Sequence, residues 1–294
     1  VLNLPMALIL IIGALKLIPS KRAATNIKFD WSGMILLLAC LAFFSFSINQ
    51  IDTQDFVGSF TSAKVLPYFI LSLVLLPVFI VLQRKAASPT INTQLFRSKQ
   101  LTISYLLAFG AGLGEVGVMF IPGFAKSAFG MSHFAASFAL IPLLLTLLIG
   151  APLSGRLLDK IGSKTVLSLG SLLITIGLGG LWHFANTKTG FYISEAILGL
   201  GLSAVLGAPL RYNVNHETTD DNRASGQGIL SVFMSIGQLV SAALVGALIA
   251  SLGGGILGYE GAFSALAVIS VLMVIVTFGL KAKAKDFPSG GKAE

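Results

Sequence analysis

The sequence predicts an all-α protein that crosses a membrane nine times, and its composition, its apolar runs and its basic residues all support this fold class. Hydrophobic residues make up 55% of the 294 positions and charged residues 11%, against roughly 25% charged residues in an ordinary soluble domain. The mean hydropathy is +0.88. So few polar side chains cannot cover a soluble surface. The composition excludes a cytosolic enzyme and a disordered protein, and the single cysteine, Cys40, excludes a disulfide scaffold.

Nine apolar runs have the length, roughly 20 residues, that a helix needs to cross the hydrocarbon core of a bilayer. The segments between the runs are polar or rich in Gly, Ser, Asn and Pro. The runs predict membrane-spanning helices over about 2–18, 32–50, 65–83, 102–124, 135–154, 165–184, 191–210, 228–252 and 261–280.

The basic residues predict the orientation of these helices, because cytoplasmic loops carry an excess of Lys and Arg. When the segment after the first run is placed inside, 17 of the 20 Lys and Arg residues fall on that side, and Lys64, Lys126 and Lys188 remain outside. The pattern predicts an external N-terminus and a cytoplasmic C-terminus. The residues placed inside are Lys16, Lys21, Arg22, Lys28, Arg84, Lys85, Arg97, Lys99, Arg156, Lys160, Lys164, Arg211, Arg223, Lys281, Lys283, Lys285 and Lys292.

The start of the sequence predicts that more of the protein lies upstream. Val1 opens an apolar run with no basic region before it, so the run is not typical of a signal peptide. We therefore expect the chain to be the C-terminal part of a longer membrane protein. The alternative is a complete nine-span protein whose initiator Met has been removed.

The most specific local pattern is a string of Gly and charged residues, 155–164, between the fifth and sixth predicted spans. Gly155 would let one helix end approach its neighbour closely, and Gly162 would supply a turn conformation that few other residues adopt. Asp159 lies among basic side chains, and a helix N-terminus is a second environment that would suit it. The chemistry of these residues alone does not distinguish an ordinary basic turn from a functional element.

This string resembles the G-x-L-x-D-[RK]-x-G-x-[RK] loop of the major facilitator superfamily, with Ser163 where the family often has Arg. In that family the loop joins the second and third helices of each six-helix half, as it does within the last six spans here. The resemblance implies a cytoplasmic latch in alternating access, in which the aspartate holds a neighbouring helix end. A similar stretch, 221–226, opens the eighth span. The residues implied to form the gate are Gly155, Arg156, Asp159, Lys160, Gly162, Lys164 and Arg223.

The wider layout resembles the fourteen-span branch of that superfamily, the drug–proton antiporters, in which two linker helices separate two six-helix halves. The short loops and the lack of long extracellular domains favour a bacterial plasma membrane, specifically the inner membrane, as the location. The resemblance implies four parts of this chain. The parts are the last helix of the N-terminal half over 1–18, two linker helices with cytoplasmic loops over 19–101, a six-helix transport domain over 102–280 and a cytoplasmic basic tail over 281–294.

Glu115 is the sharpest single residue, because it lies near the middle of the fourth span in a glycine-rich stretch. An ionised group at this depth costs about 2.5–3.5 kcal/mol, so Glu115 should face a cavity or a partner. A carboxyl that takes up and releases a proton could couple proton flux to transport, and it could also attract a cationic substrate. The alternative is a structural hydrogen bond to a neighbouring helix.

Two further polar residues are candidates for the same site. Glu195 lies a few residues inside the outer end of the seventh span, and an exposed interfacial carboxylate is the alternative there. Gln238 lies at mid-depth in the eighth span, where it can bind a ligand or pack against another helix. Small residues recur in the eighth span and predict close helix packing. They are Gly228, Ser231, Ser235, Ala242, Gly246 and Ala250.

The sequence favours a transporter over an enzyme. It has no phosphate-binding loop and no hydrolase motif, and its three histidines lack metal-ligand spacing, so neither a cofactor nor a metal is expected. The leading hypothesis is a proton-coupled exporter of amphipathic or cationic small molecules. Its expected partners are the substrate, protons, the lipid bilayer and a missing N-terminal half, and not nucleic acid. The alternatives are an uptake carrier of the same superfamily for a sugar, organic acid or peptide, and a truncated membrane protein that does not transport.

Overall fold

The computed structural model describes residues 30–52, 55–86 and 89–282, together with the single positions 11 and 13. Eight helical segments within these residues are long and apolar enough to cross a membrane, and the described chain contains no strand. The all-α membrane fold class is therefore confirmed. Apart from positions 11 and 13, the first predicted span, 2–18, lies outside the described residues.

The described chain consists of twelve α-helices and two short 3-10 helices, Thr93–Arg97 and Asp220–Asn222. The α-helices are α1 (Trp31–Asn49), α2 (Phe56–Phe60), α3 (Leu66–Lys85), α4 (Lys99–Met119), α5 (Ile121–Phe129), α6 (His133–Phe138), α7 (Ile141–Ile161), α8 (Ser163–His183), α9 (Lys188–Leu206), α10 (Ala208–Glu217), α11 (Arg223–Ser251) and α12 (Gly255–Thr277).

Three of the eight spans are broken into two α-helices, and a proline follows each break. The pairs α4 with α5, α6 with α7, and α9 with α10 each form one span. Pro122, Pro142 and Pro209 lie in the first turn of the second helix of each pair. Proline is tolerated there because the backbone N–H it lacks has no partner in the first turn of a helix. The apolar runs of the sequence predict each of these spans as one uninterrupted helix, so the breaks are a difference from that prediction.

Local side chains and glycines set the helix ends. Asp30 caps α1 by accepting a hydrogen bond from the backbone N–H of Gly33 at 2.8 Å, and Ser98 caps α4 by accepting one from Leu101 at 3.4 Å. Gly162 joins α7 to α8 with a φ of 82°, a value that L side chains rarely adopt. The turn predicted at Gly162 is therefore present.

Helices α4 and α7–α12 form a bundle in which α4 packs on α11 and α8 packs on α9 and α12. Helices α1 and α3 pack on each other beside the bundle, and α1 also contacts α11. An aromatic cluster around Phe124 fills one end, with the rings of Phe191 and Phe263 each centred 5.7 Å from that of Phe124. We name the two ends of the bundle the Phe124 end and the Gly162 end.

Candidate functional site

A polar pair lies where α4 crosses α11. The side-chain amide of Gln238 donates a hydrogen bond to a carboxylate oxygen of Glu115, with the nitrogen and oxygen 2.8 Å apart. Each residue lies close to the midpoint of its span, Lys99–Phe129 for Glu115 and Asp220–Ser251 for Gln238. Both side chains are half-buried. The structure thus brings together two of the three residues that the sequence singled out inside the membrane.

Glycines allow α4 and α11 to approach closely enough for this pair to form. A Cβ atom at Gly112 would clash with the carbonyl oxygen of Met234, and one at Gly237 would clash with the carbonyl oxygen of Phe109. The Ser241 hydroxyl adds a second interhelical hydrogen bond, at 2.8 Å to the Leu113 carbonyl. Close backbone contact and interhelical hydrogen bonds are the forces that hold helices together in a bilayer. The crossing therefore fixes Glu115 and Gln238 relative to each other.

The small residues of α11 lie mostly on a face that the described chain leaves open. Gly228, Ser231, Ser235 and Ala242 are exposed, and a Cβ at Gly228 would meet no atom within 4 Å. The prediction that these residues mediate close packing is therefore wrong for these four within the described residues, and Gly237 is the glycine that makes the contact. These four residues and Gln238 recur every three or four positions, so the exposed small residues share one face of α11 with the Glu115–Gln238 pair.

Glu195 does not lie at an exposed interface, which is the alternative considered for it above. It is fully buried, and neither of its carboxylate oxygens has a hydrogen-bond partner among the described residues. Phe191, Leu198 and Leu202 extend the same stripe of α9 and are at most 1% exposed. Glycines on α8 seal the stripe, because a Cβ at Gly177 would lie 2.7 Å from the Cα of Leu198. The interpretation of Glu195 as an exposed interfacial carboxylate is therefore wrong.

The Gly- and charge-rich string is mostly helix. Residues 155–161 form the last two turns of α7, and the chain turns only at Gly162. Asp159 therefore lies near a helix C-terminus, so the N-terminal environment considered for it is wrong. A Cβ at Gly155 would meet no atom within 4 Å, so the close approach expected at Gly155 is absent within the described chain. Arg156, Asp159 and Lys160 are exposed at this end of the bundle.

The end of this string contacts the rest of the bundle. The Lys164 ammonium donates a hydrogen bond at 2.9 Å to the carbonyl of Phe278, the C-cap residue that follows α12. Cations are favoured there because the C-terminal carbonyls of a helix carry partial negative charge. The resemblance implies that Asp159 holds a neighbouring helix end. In the structure, Lys164 contacts such a helix end. Arg223, another cation of the implied gate, pairs with Asp220 at 2.8 Å.

A buried network that the sequence did not predict lies beside Lys164. The Ser163 hydroxyl donates to the side-chain oxygen of Asn213 at 2.9 Å, and the Asn213 amide donates to the Ser104 hydroxyl at 3.3 Å. All three side chains are buried, and they join α8, α10 and α4. One sequence signal was available, since Asn is a poor helix former and needs a partner when it is buried.

The described residues form a multi-pass helical membrane protein, with two polar residues paired at mid-span and its charged residues gathered mainly at the Gly162 end. Within these residues no group of three His, Cys, Asp or Glu side chains is placed to hold a metal ion. Residues 101–294 match the Major Facilitator Superfamily. The chain belongs to this family.

Individual relatives are more distant and longer. An uncharacterized transporter of the same superfamily from Bacillus subtilis is 24% identical, over 83% of this chain and 48% of its own length. A multidrug resistance protein B homolog from Mycobacterium tuberculosis is 24% identical, over 84% of this chain and 46% of its own. The tetracenomycin C resistance and export protein of Streptomyces glaucescens is also 24% identical, over 85% and 46%. The chain therefore spans about half the length of these relatives.

Proposed function

We propose that this chain is part of a proton-coupled secondary transporter that exports amphipathic or cationic small molecules by alternating access. The main support for the proposal is the hydrogen bond from Gln238 to Glu115. This bond holds an ionisable, half-buried side chain at mid-span. The names of two relatives, one a multidrug resistance protein homolog and one an export protein, support export as the direction. The other half of the substrate pathway would come from helices outside this chain.

Glu115 is suited to exchange protons because its environment can change. A carboxylate inside a membrane is stable only while water or hydrogen-bond donors solvate it. Gln238 supplies one donor, and a cavity open to water on the partly exposed side of the pair would supply the rest. When the cavity closes and water leaves, binding a proton removes the cost of the buried charge. Glu115 would then bind a proton in one access state and release it in the other, and we assign this role to Glu115 and not to the sealed Glu195.

The open face of α11 suits an amphipathic substrate. Gly228 and Ala242 present little side chain, so a flat apolar group can lie against the helix, while Ser231 and Ser235 offer hydroxyl groups to polar substituents. Glu115 would attract a positive charge at mid-membrane when it is ionised. A cationic substrate and a proton would then compete for the same carboxylate, which is the simplest way to couple their opposite movements.

The Gly162 end would act as the latch. We propose that Gly155, Arg156, Asp159, Lys160, Gly162, Lys164 and Arg223 bias the balance between access states. The Lys164 contact with the end of α12 supports this role, because it ties the turn to a helix that packs on α4 and α11. A change of about 1.4 kcal/mol in that balance would alter the ratio of states tenfold.

We further propose the orientation and the organisation of the chain. In this proposal the protein lies in a plasma membrane, with the Gly162 end and the C-terminus on the cytoplasmic side. The excess of basic residues on that side supports the orientation. The packing of α1 with α3 beside the bundle supports their assignment as the two linker helices, 19–101, of the fourteen-span branch. In that assignment 1–18 ends the preceding half, 102–280 is the transport domain and 281–294 is the tail.

The test is substrate efflux from proteoliposomes that contain the complete gene product under an imposed pH gradient. Glu115→Gln keeps the shape of the side chain and can still accept the hydrogen bond from Gln238, but it cannot release a proton. We expect it to bind neutral substrates normally, to bind cations more weakly and to lose export driven by the gradient.

Glu195→Gln is the matched control, since it makes the same chemical change in the same bundle. We expect it to export like the parent protein. Parental export by Glu115→Gln across several substrates, cations included, would refute the coupling role and leave Glu115 as a structural hydrogen-bond partner.

A further inference from the structure

A cavity of about 590 Å³ lies at the Gly162 end, between the last turn of α3 and the 3-10 helix that precedes α4. Its size falls within the range of roughly 300–1,000 Å³ that is typical of small-molecule sites. The lining residues that matter here are Gln83, Arg84, Asn92, Gln94, Phe96 and Arg97. The Glu115–Gln238 pair and the latch contribute no residue to it.

The charge of this cavity is positive. Arg84 and Arg97 line it from two different elements, and none of the described residues that line it carries a carboxylate. Both arginines are exposed, and neither has an ion pair or a side-chain hydrogen bond among the described residues. A guanidinium presents several N–H donors in a planar fork that matches the oxygens of a phosphate. The cavity is therefore built to receive an anion.

The wall of the cavity is held in place by hydrogen bonds. The buried side chain of Gln83 donates to Asp30 at 2.6 Å and accepts from the backbone N–H of Ile91 at 2.9 Å. Although burial alone would raise the pKa of Asp30, the hydrogen bonds from Gln83, Gly33, Ser32 and Thr90 hold it well below its usual range. Asp30 therefore stays ionised and keeps Gln83 fixed.

Asn92 connects the same wall to the transport bundle. Its backbone N–H donates to the Ser225 hydroxyl at 2.8 Å, and its side-chain amide donates to Asn222 at 2.9 Å. Ser225 lies in the first turn of α11, the helix that carries Gln238. The cavity therefore lies at the junction between the linker pair and the transport bundle.

The surroundings favour a lipid as the source of the anion. Arg84 lies in the last turn of a membrane-length helix, and Val78, Val81 and Leu82 in the preceding two turns are 45–50% exposed. Phe96 adds an apolar side chain, 41% exposed, at the cavity itself. A phosphate bound by the two arginines would thus have an apolar surface beside it on which acyl chains can lie.

We propose that this cavity binds the phosphate headgroup of an anionic phospholipid, with Arg84 and Arg97 as its ligands and the acyl chains along α3. The inference rests on the proposed cytoplasmic orientation of the Gly162 end and is independent of proton coupling. Basic pockets between membrane helices on the cytoplasmic side are a recurrent form of lipid headgroup site. A bound lipid would bridge the linker pair and the transport bundle at Asn92.

The experiment is native mass spectrometry of the complete gene product in detergent, titrated with phosphatidylglycerol or with phosphatidylcholine. We expect the protein to retain phosphatidylglycerol in preference. Arg84→Gln and Arg97→Gln should each weaken that binding about fivefold, the change that corresponds to about 1 kcal/mol per basic residue. Arg211→Gln removes an exposed arginine at the same end and outside the cavity, and it should bind like the parent.

Unchanged phosphatidylglycerol binding in the Arg84→Gln/Arg97→Gln double variant would overturn the proposal. Displacement of the lipid by millimolar inorganic phosphate would also overturn it, because the site would then select a free anion. An unaltered thermal unfolding midpoint of the double variant in phosphatidylcholine shows that lost binding does not reflect lost folding. This experiment measures lipid binding, so its result does not depend on whether Glu115→Gln alters export.

Discussion

Glu115 and Glu195 are two carboxyl groups in one helical bundle, and they differ in contacts and in access. Glu115 lies at mid-span, is half-buried and accepts a hydrogen bond from Gln238. Glu195 lies closer to the Phe124 end, is fully buried and has no hydrogen-bond partner for either oxygen among the described residues. Glu115 therefore has a donor and a partly exposed side chain, and Glu195 has neither among the described residues.

The difference shows that depth along a membrane helix does not determine burial. Position along the sequence makes Glu115 the deeper residue and places Glu195 near the interface, yet the order of their burial is reversed. Burial depends instead on which face of its helix a side chain occupies. Glu195 shares its face with Phe191, Leu198 and Leu202 against the glycines of α8, while Glu115 lies beside the open face of α11.

The largest effect is expected at the helix crossing that holds Glu115. Gly237→Ala would place a methyl group against the carbonyl of Phe109, and overpacking of this kind costs about 1–3 kcal/mol. We expect a lower free energy of unfolding in detergent, together with loss of export. The matched control is Gly228→Ala on the same helix, where the methyl group meets no atom within 4 Å.

Gly228→Ala should be neutral or raise the free energy of unfolding by about 0.5–1 kcal/mol, because Ala is the better helix former. Equal effects of the two substitutions would show that α4 and α11 do not touch at Gly237 in the protein.

The second prediction compares the two carboxyl groups directly through Glu195→Met and Glu115→Met. A buried polar group without a partner costs about 1–3 kcal/mol, so we expect Glu195→Met to raise the free energy of unfolding by up to that amount. Glu115→Met removes a hydrogen bond and should lower it by about 1 kcal/mol. Chemical denaturation in detergent measures both values, and a loss of stability in Glu195→Met would mean that its carboxyl has a partner.

The third prediction concerns water access and uses cysteines in a Cys40→Ser background. Ser235→Cys lies on the exposed face of α11, whereas Ser194→Cys lies in a buried position on α9 beside Glu195. We expect an impermeant charged thiol reagent to modify the Ser235→Cys variant and not the Ser194→Cys variant. Bound substrate should protect the Ser235→Cys variant from the reagent. A Ser235→Cys variant that resists the reagent would indicate that this face of α11 contacts lipid.

The sequence predicted the helical membrane class and most spans, because apolar runs and basic loops are local properties of the chain. It also predicted the turn at Gly162, where the positive φ requires glycine. It did not predict that Gln238 pairs with Glu115, since the two residues lie 123 positions apart. The close approach of α4 and α11 at Gly112 and Gly237 brings them together. Glu195 was misplaced for the same reason, because a single polar residue in an apolar run does not reveal which neighbour its face contacts.

The most direct test of Glu115 as the exchanging group is proton release on substrate binding. The purified complete gene product is held in weakly buffered detergent with a pH-sensitive dye, and a cationic substrate is added. We expect the parent protein and Glu195→Gln to release protons as the cation displaces them from Glu115, and Glu115→Gln to bind a neutral substrate without release. Undiminished proton release from Glu115→Gln, or its loss from Glu195→Gln alone, would contradict the assignment.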